Sequence, residues 1–219
     1  MRPREHYLRQ LEIIHAELQV LGQMVVAAIT QAIDTLAQQD TELAEQVVVD
    51  DQRIDRAQYA LEEHVLGVMA TQQPTAGDLR RLIAAIEIAG ELERIGDYAK
   101  GIAKITIRNA HRPLAKPLVD IPRMAEFAVD MLNRALIAFV EEDAAAARQL
   151  GPADDRVDVL STRVRTELLD LMQHDPSIVE PAVDLLFVAH NMERIADRTT
   201  NIAERVIFID SGDIVELNP

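Results

Sequence analysis

Two pairs of acidic residues stand where a helix of this chain would be expected to place its core. A stripe at Leu82, Ile86 and Ala89 continues in phase into Glu93 and Asp97, and a second stripe at Ala182, Leu186 and Ala189 runs into Glu193 and Asp197. At about 100° per residue, positions four apart lie on one helix face a turn apart, so a Glu and an Asp at that spacing can bite one ion together. Left uncompensated, like charges so placed disfavour the helix by roughly 0.2–0.5 kcal/mol. Asp51 with Asp55 and Asp154 with Asp158 repeat the spacing. Carboxylates without cysteine or an in-phase histidine describe a hard, all-oxygen site, suited to Mg, Ca, Mn or oxygen-ligated Fe rather than Zn or Cu. The competing reading is an acidic face left to solvent, which is ordinary in a chain with 37 acidic against 22 basic side chains and a formal charge of −15.

The elements that must position these groups follow from periodicity. Apolar residues at spacings of three and four, punctuated by sparse Gly and Pro, give six helices at roughly 5–38, 41–72, 75–110, 120–141, 144–174 and 178–209. With an offset of 103, Asp40, Asp51, Ile54, Asp55, Val65 and Met69 fall on Asp143, Asp154, Val157, Asp158, Leu168 and Met172. After a shorter turn the offset is 100, and Glu93, Arg94, Ile95, Asp97, Ile102 and Ala103 match Glu193, Arg194, Ile195, Asp197, Ile202 and Ala203. Such self-similarity is the mark of a duplicated unit. The expected fold is all-α, two tandem antiparallel three-helix bundles: 1–112, a Pro-rich linker at 113–123, and 124–219.

Counting from the turns tests whether the pairs meet. From Pro74, Asp51 and Asp55 lie 23 and 19 residues back, while Glu93 and Asp97 lie 19 and 23 on. From Pro176, Asp154 and Asp158 lie 22 and 18 back, and Glu193 and Asp197 lie 17 and 21 on. The agreement is within about one helical turn, roughly 5 Å, so each half brings four carboxylates to one level. Arg94 and Arg194, about 100° round from the glutamates, are either outer donors to these clusters or solvent-facing charges.

Composition narrows the function classes. Hydrophobic residues make up 48% and aromatics 3%, with no tryptophan, an alphabet suited to helix packing. The acidic balance argues against nucleic acid as partner, and the absence of cysteine excludes disulfides and thiolate sites. No uncharged stretch reaches the roughly 18 residues of a membrane span, so the expectation is a soluble, cytoplasmic chain. No nucleophile, phosphate-cradling glycine loop or general-base constellation is evident, and catalysis is not expected. Glu12 and His15 form a single Glu-x-x-His, whereas di-iron bundles need two, and His15 is expected at the surface.

Longer runs carry a resemblance. Gln72-Gln73-Pro74 through Asp78-Leu79-Arg80, then Leu92-Glu93-Arg94-Ile95-Gly96-Asp97 with Ile102-Ala103-Lys104, and Glu193-Arg194-Ile195-Ala196-Asp197 with Asn201-Ile202-Ala203-Glu204-Arg205, closely resemble the PhoU family over nearly the whole chain. The resemblance implies a multinuclear metal cluster on each bundle, iron or else Mg or Mn, at the Glu-x-x-x-Asp motifs. It implies a negative regulator of phosphate uptake and of the phosphate regulon, coupling the ATPase subunit of a phosphate ABC transporter to a sensor histidine kinase. Contact with the inner membrane would run through those partners alone, and a homodimer is expected. Alternatives are an accessory protein of an ion-coupled phosphate transporter, a carboxylate-bridged metal oxidase, and a structural scaffold with solvated acidic rows. Departures from the pattern are Ala196 in place of the first motif's Gly96, Arg198 where many relatives carry His, and His190-Asn191-Met192 for a more usual Arg-Tyr-Leu. Gly151-Pro152 also interrupts the fifth helix just before Asp154, which makes distortion of the second cluster the expectation.

Overall fold

The computed structural model describes residues 3–218, and among them the only regular structure is helical. The first bundle comprises α1 (Pro3–Gln38), α2 (Thr41–Gln72) and α3 (Ala76–Arg108). The second comprises α4 (Asp120–Glu141), α5 (Ala144–Arg148), α6 (Gly151–His174) and α7 (Val179–Ser211), with a 3₁₀ turn at Pro176–Ile178.

The duplication extends to how corners are turned. α1 ends at Gln39 with φ of 54°, and Asp40 then caps α2 by accepting the Leu43 N–H at 3.0 Å. α4 ends at Glu142 with φ of 52°, and Asp143 caps α5 by accepting the N–H groups of Ala145 and Ala146, both at 2.9 Å. A left-handed residue halts a helix at a cost of roughly 1–2 kcal/mol for a side chain other than glycine, and the following cap satisfies amide donors of the next helix. Between α2 and α3 the device is different. Gln73 takes φ of 47°, Pro74 follows, and the Asp78 carboxylate accepts both the backbone N–H and the hydroxyl of Thr75, at 3.2 and 2.7 Å.

One expectation needs correcting. The fifth predicted helix is two, because the chain breaks at Gln149–Leu150 and restarts at Gly151. Pro152 has no N–H to give and is tolerated in a first turn, where that donor would be unsatisfied anyway. The break therefore precedes the acidic pair, and Asp154 and Asp158 remain one turn apart on the intact α6.

A contiguous apolar core runs through both bundles, with α3 packed along α7 and α1 along α4. Leu18, Leu21, Val25 and Ile29 of α1 and Met124, Ala128, Leu132 and Ala135 of α4 are fully buried. Gly22 makes the α1–α4 crossing close, since a Cβ there would lie 2.3 Å from Leu136 Cδ1. His15 belongs to this seam rather than to the surface: it is half-buried, with its ring edge-on to Phe139 at 5.0 Å, and burial lowers its pKa. Polar clamps reinforce the seam. The Arg81 guanidinium forks onto Glu142 at 2.6 and 2.7 Å, and Arg108 pairs with Asp184. Among the described helices α1 alone is long and apolar enough, by length and composition, to cross a membrane; its apolar face is spent on α2, α3 and α4.

Candidate functional site

In the first bundle, α2 presents Asp51 and Asp55 and α3 presents Glu93 and Asp97 at one level. Asp51 is only 4% exposed because α2 comes close to α3 at Gly96, where a Cβ would lie 3.1 Å from Ile54 Cδ1 and 3.7 Å from Asp51 Oδ1. Glu93 is half-buried, and its pKa is raised by burial and then by the charges of Asp97 and Asp55. A cation already lies inside the group. Lys100, one turn beyond Asp97, donates from Nζ to Asp51 Oδ2 at 2.5 Å and to Asp97 Oδ1 at 2.9 Å. The Asp51 bond is the main reason the Lys100 ammonium holds its proton more tightly than usual. Burial still outweighs Lys100 at Asp51, whose pKa is raised.

In the second bundle, α6 presents Asp154 and Asp158 and α7 presents Glu193 and Asp197. The position equivalent to Lys100 is Thr200, whose hydroxyl is turned back to its own helix and donates to the Asp197 carbonyl at 2.7 Å. No ammonium enters this group. Asp154 is 2% exposed, and burial together with Asp158, Asp197, Asp155 and Glu193 pushes its pKa up to about 7. Asp158 and Asp197 are raised as well, burial being the largest cause in each. The chain closes over the cluster with its own C-terminal segment. Asn218 donates from Nδ2 to Asp154 Oδ2 at 2.6 Å and to Asp197 Oδ1 at 3.1 Å, while Ser161 donates to Glu193 at 2.6 Å. Asp154 Oδ1 remains buried with no hydrogen-bond partner. A cavity of about 380 Å³ opens among Asp158, Glu193, Arg194, Asp197, Thr200 and Asn218.

The two motif arginines separate. Arg194 donates to Asp197 at 2.8 Å and so belongs to its cluster, whereas Arg94, 57% exposed on its side chain, pairs with Glu91 at 3.0 Å. Glu91 in turn receives Arg198 at 3.4 Å and Asn201 at 3.2 Å, tying α3 to α7. Arg198, one of the departures from the family pattern, thus helps to hold the bundles together. Counting from the turns brings each set of four together but misses the groups between them. Lys100 was detectable as a mismatch under the offset of 100, Lys against Thr. Asn218 lies outside the repeats and gave no periodic signal.

Chemically the two sets are unequal. As they stand, no three carboxylate or imidazole side chains among the described residues converge tightly enough to share one ion. Carboxylates gathered in one place either take a cation between them or hold protons at a raised pKa. In the first set that cation is Lys100. In the second, an orphaned buried oxygen, three accessible carboxylates and a neutral amide supply the donors a hard cation takes.

Comparison with known proteins covers both halves. The PhoU domain model matches residues 18–106 and again 121–206. The chain is 36% identical to a phosphate-specific transport system accessory protein PhoU homologue of Clostridium acetobutylicum, over 98% of this chain and 99% of the relative. This chain belongs to the PhoU family. A second PhoU homologue, from Aquifex aeolicus, is 36% identical over 95% of the chain and 94% of its own length. Crystal structures of PhoU from Pseudomonas aeruginosa and of the phosphate transport system regulatory protein PhoU from Streptococcus pneumoniae each superpose with a TM-score of 0.89, at 29% and 28% identity. They cover 94% and 96% of this chain, and the match takes in 100% and 99% of their own lengths. Both acidic clusters and Lys100 lie within the two matched PhoU segments, whereas Asn218 lies beyond the second.

Proposed function

We propose that this PhoU-family chain restrains phosphate uptake and the phosphate regulon as a cytoplasmic regulator, and that a hard cation held by its second bundle stabilises the signalling form. The regulatory part rests on membership of a family whose relatives are named as accessory proteins of the phosphate-specific transport system. Its partners in this reading are the ATPase subunit of a phosphate ABC transporter and a sensor histidine kinase, contacted by a homodimer at the inner face of the membrane. In this reading the role is binding rather than catalysis.

The observation that carries the cation is the Asp154 oxygen, buried and unpartnered beside Asp158, Glu193 and Asp197. An ion there would offset both the burial of Asp154 and its repulsion by Asp158, Asp197, Asp155 and Glu193, which together lift its pKa to about 7. Iron, manganese and magnesium share the preference for oxygen ligands, and several carboxylates facing one cavity allow more than one ion. What the chain itself does is set by its helices. α6 and α7 hold the acid groups at fixed separation, Arg194 moderates the charge of Asp197, and Asn218 shields the pocket.

Two measurements test the reading. The parent, purified from cells, should carry iron or manganese by elemental analysis and the double variant Glu193→Ala/Asp197→Ala should not; equal metal content in the two refutes the ligand assignment. Affinity capture from membranes of phosphate-replete cells should recover the transporter ATPase and the kinase, and recovery of neither refutes the coupling.

A further inference from the structure

We infer that Lys100 is the resident cation of the first acidic cluster, so that this chain takes up metal at one cluster and not two. The inference deepens the metal reading above and rests on it. The repeat equivalence requires a cluster on each bundle to face the same electrostatic problem, and the structure answers it in two ways. In the first bundle Lys100 Nζ stands between Asp51 Oδ2 and Asp97 Oδ1, at 2.5 and 2.9 Å, which is where a bridging ion would have to be. The ammonium is carried on α3 itself, three residues from Asp97, with only a quarter of its side chain exposed and its partner Asp51 exposed by 4%. An ion entering there must expel a charge of its own sign from between two carboxylates.

The second bundle has no such group. Thr200 replaces the lysine, is 1% exposed, and directs its hydroxyl to a backbone carbonyl rather than to the acids. The groups that do reach Asp154 and Asp197 differ in kind from an ammonium. Asn218 is neutral and exposed, near the end of the described chain, so it fills the space without cancelling charge, and rotation of its amide would turn an oxygen toward an incoming ion. Arg194 pairs with Asp197 through Oδ2 and lies near enough to Glu193 to feel its charge, so the second cluster has a guanidinium at one side but no ammonium between its acids among the described residues. The neutral Asn218 amide bonds the same pair of oxygens that Lys100 bonds in the other half, Asp154 Oδ2 and Asp197 Oδ1, and Asp154 Oδ1 is left buried with no hydrogen-bond partner.

The test counts metal bound per full-length chain, using Mn2+ and, anaerobically, Fe2+ as probes, after chelation and reloading. The parent should bind one cluster's complement. Asp154→Asn/Asp158→Asn should abolish it, and Glu93→Gln/Asp97→Asn should leave it unchanged. Lys100→Met, which keeps the length and drops the charge, should about double the bound metal, as should Lys100→Thr, and adding Asp51→Asn should remove the gain. Circular dichroism establishes that each variant is folded. Loss of parental metal on Glu93→Gln/Asp97→Asn overturns the inference even if the lysine variants fail to fold. Folded lysine variants that gain nothing also overturn it, while the proposed function stands if Asp154→Asn/Asp158→Asn still strips the parent. No binding by parent or variant sinks both.

Discussion

The two acidic clusters of this chain are the same motif under different management. Both place four carboxylates at one level between two helices, and both bury one aspartate almost completely, Asp51 and Asp154. In the first bundle a lysine fixed to the same helix neutralises the group. In the second a neutral amide from the C-terminal segment covers it, and one buried oxygen is left without a partner. The difference teaches that a duplicated motif preserves geometry more readily than charge balance. A single difference at the position of Lys100 and Thr200 decides whether the cluster contains an ammonium of its own.

Removing Lys100 should produce the largest change. Lys100→Met leaves Asp51 buried with no cation, and breaking a buried pair from one side costs about 3–5 kcal/mol. Thermal unfolding in chelator should register a fall of that order, and Mn2+ should recover part of it, as any ligand of the native state alone must. Thr200→Val, at the equivalent position, should change stability by less than about 1 kcal/mol, because its hydroxyl only doubles a helical carbonyl contact. If the two substitutions cost the same, the contrast between the clusters is lost.

The floors of the two clusters offer the next test. Ile54 packs against Gly96 in the first bundle, and the equivalent residues in the second are Val157 and Ala196, so the methyl carried by one helix in one repeat is carried by its partner in the other. Gly96→Ala should overpack this contact and cost roughly 1–3 kcal/mol. Ile54→Val in the same chain should relieve most of it, a coupling that a double-mutant cycle in urea would measure. Independent, additive effects would mean that the pair does not share the contact.

Acid groups sharpen the comparison through pH. Asp154 titrates near 7 when folded, above its ordinary range, so below about pH 4 its contribution to stability is fully present and it is lost as pH rises toward 7. In chelated protein, the parent should lose stability relative to Asp154→Asn across that window, followed by urea unfolding. Parallel pH profiles for the two proteins would contradict the burial-driven shift. The smallest effect is expected for Arg94→Ala. Its pair with Glu91 is largely solvated and should contribute less than about 1 kcal/mol, which leaves the unfolding midpoint nearly unmoved.

Much of this architecture was legible before any coordinates. Alignment of Asp40 with Asp143 under an offset of 103 marked two residues that both prove to be helix caps following a left-handed turn. Equal distances from Pro74 brought Asp51, Asp55, Glu93 and Asp97 to one level because helical rise is constant, so counting residues is measuring length. Pro152 reads along the sequence as a disruption inside one helix, whereas its place in the first turn of α6 makes it a start, and periodicity alone does not distinguish the two. His15 was placed at the surface because spacing along one helix says nothing about what another bundle lays over it; Phe139 of α4 does so.

Periodicity along the chain is therefore sufficient for the helices, the duplication and the matching levels of the acidic pairs, since these follow from rise, phase and turn chemistry that each segment carries by itself. Which cluster holds its own counter-charge was decided only in three dimensions. Nothing in the sequence marks Lys100, inside α3, or Asn218, beyond α7, as a partner of the acids, and only the packed structure puts an ammonium within 3 Å of two acids in one half and an uncharged amide in the other. Electrostatic balance depends on distances between groups remote in sequence, and a linear pattern contains none of those distances.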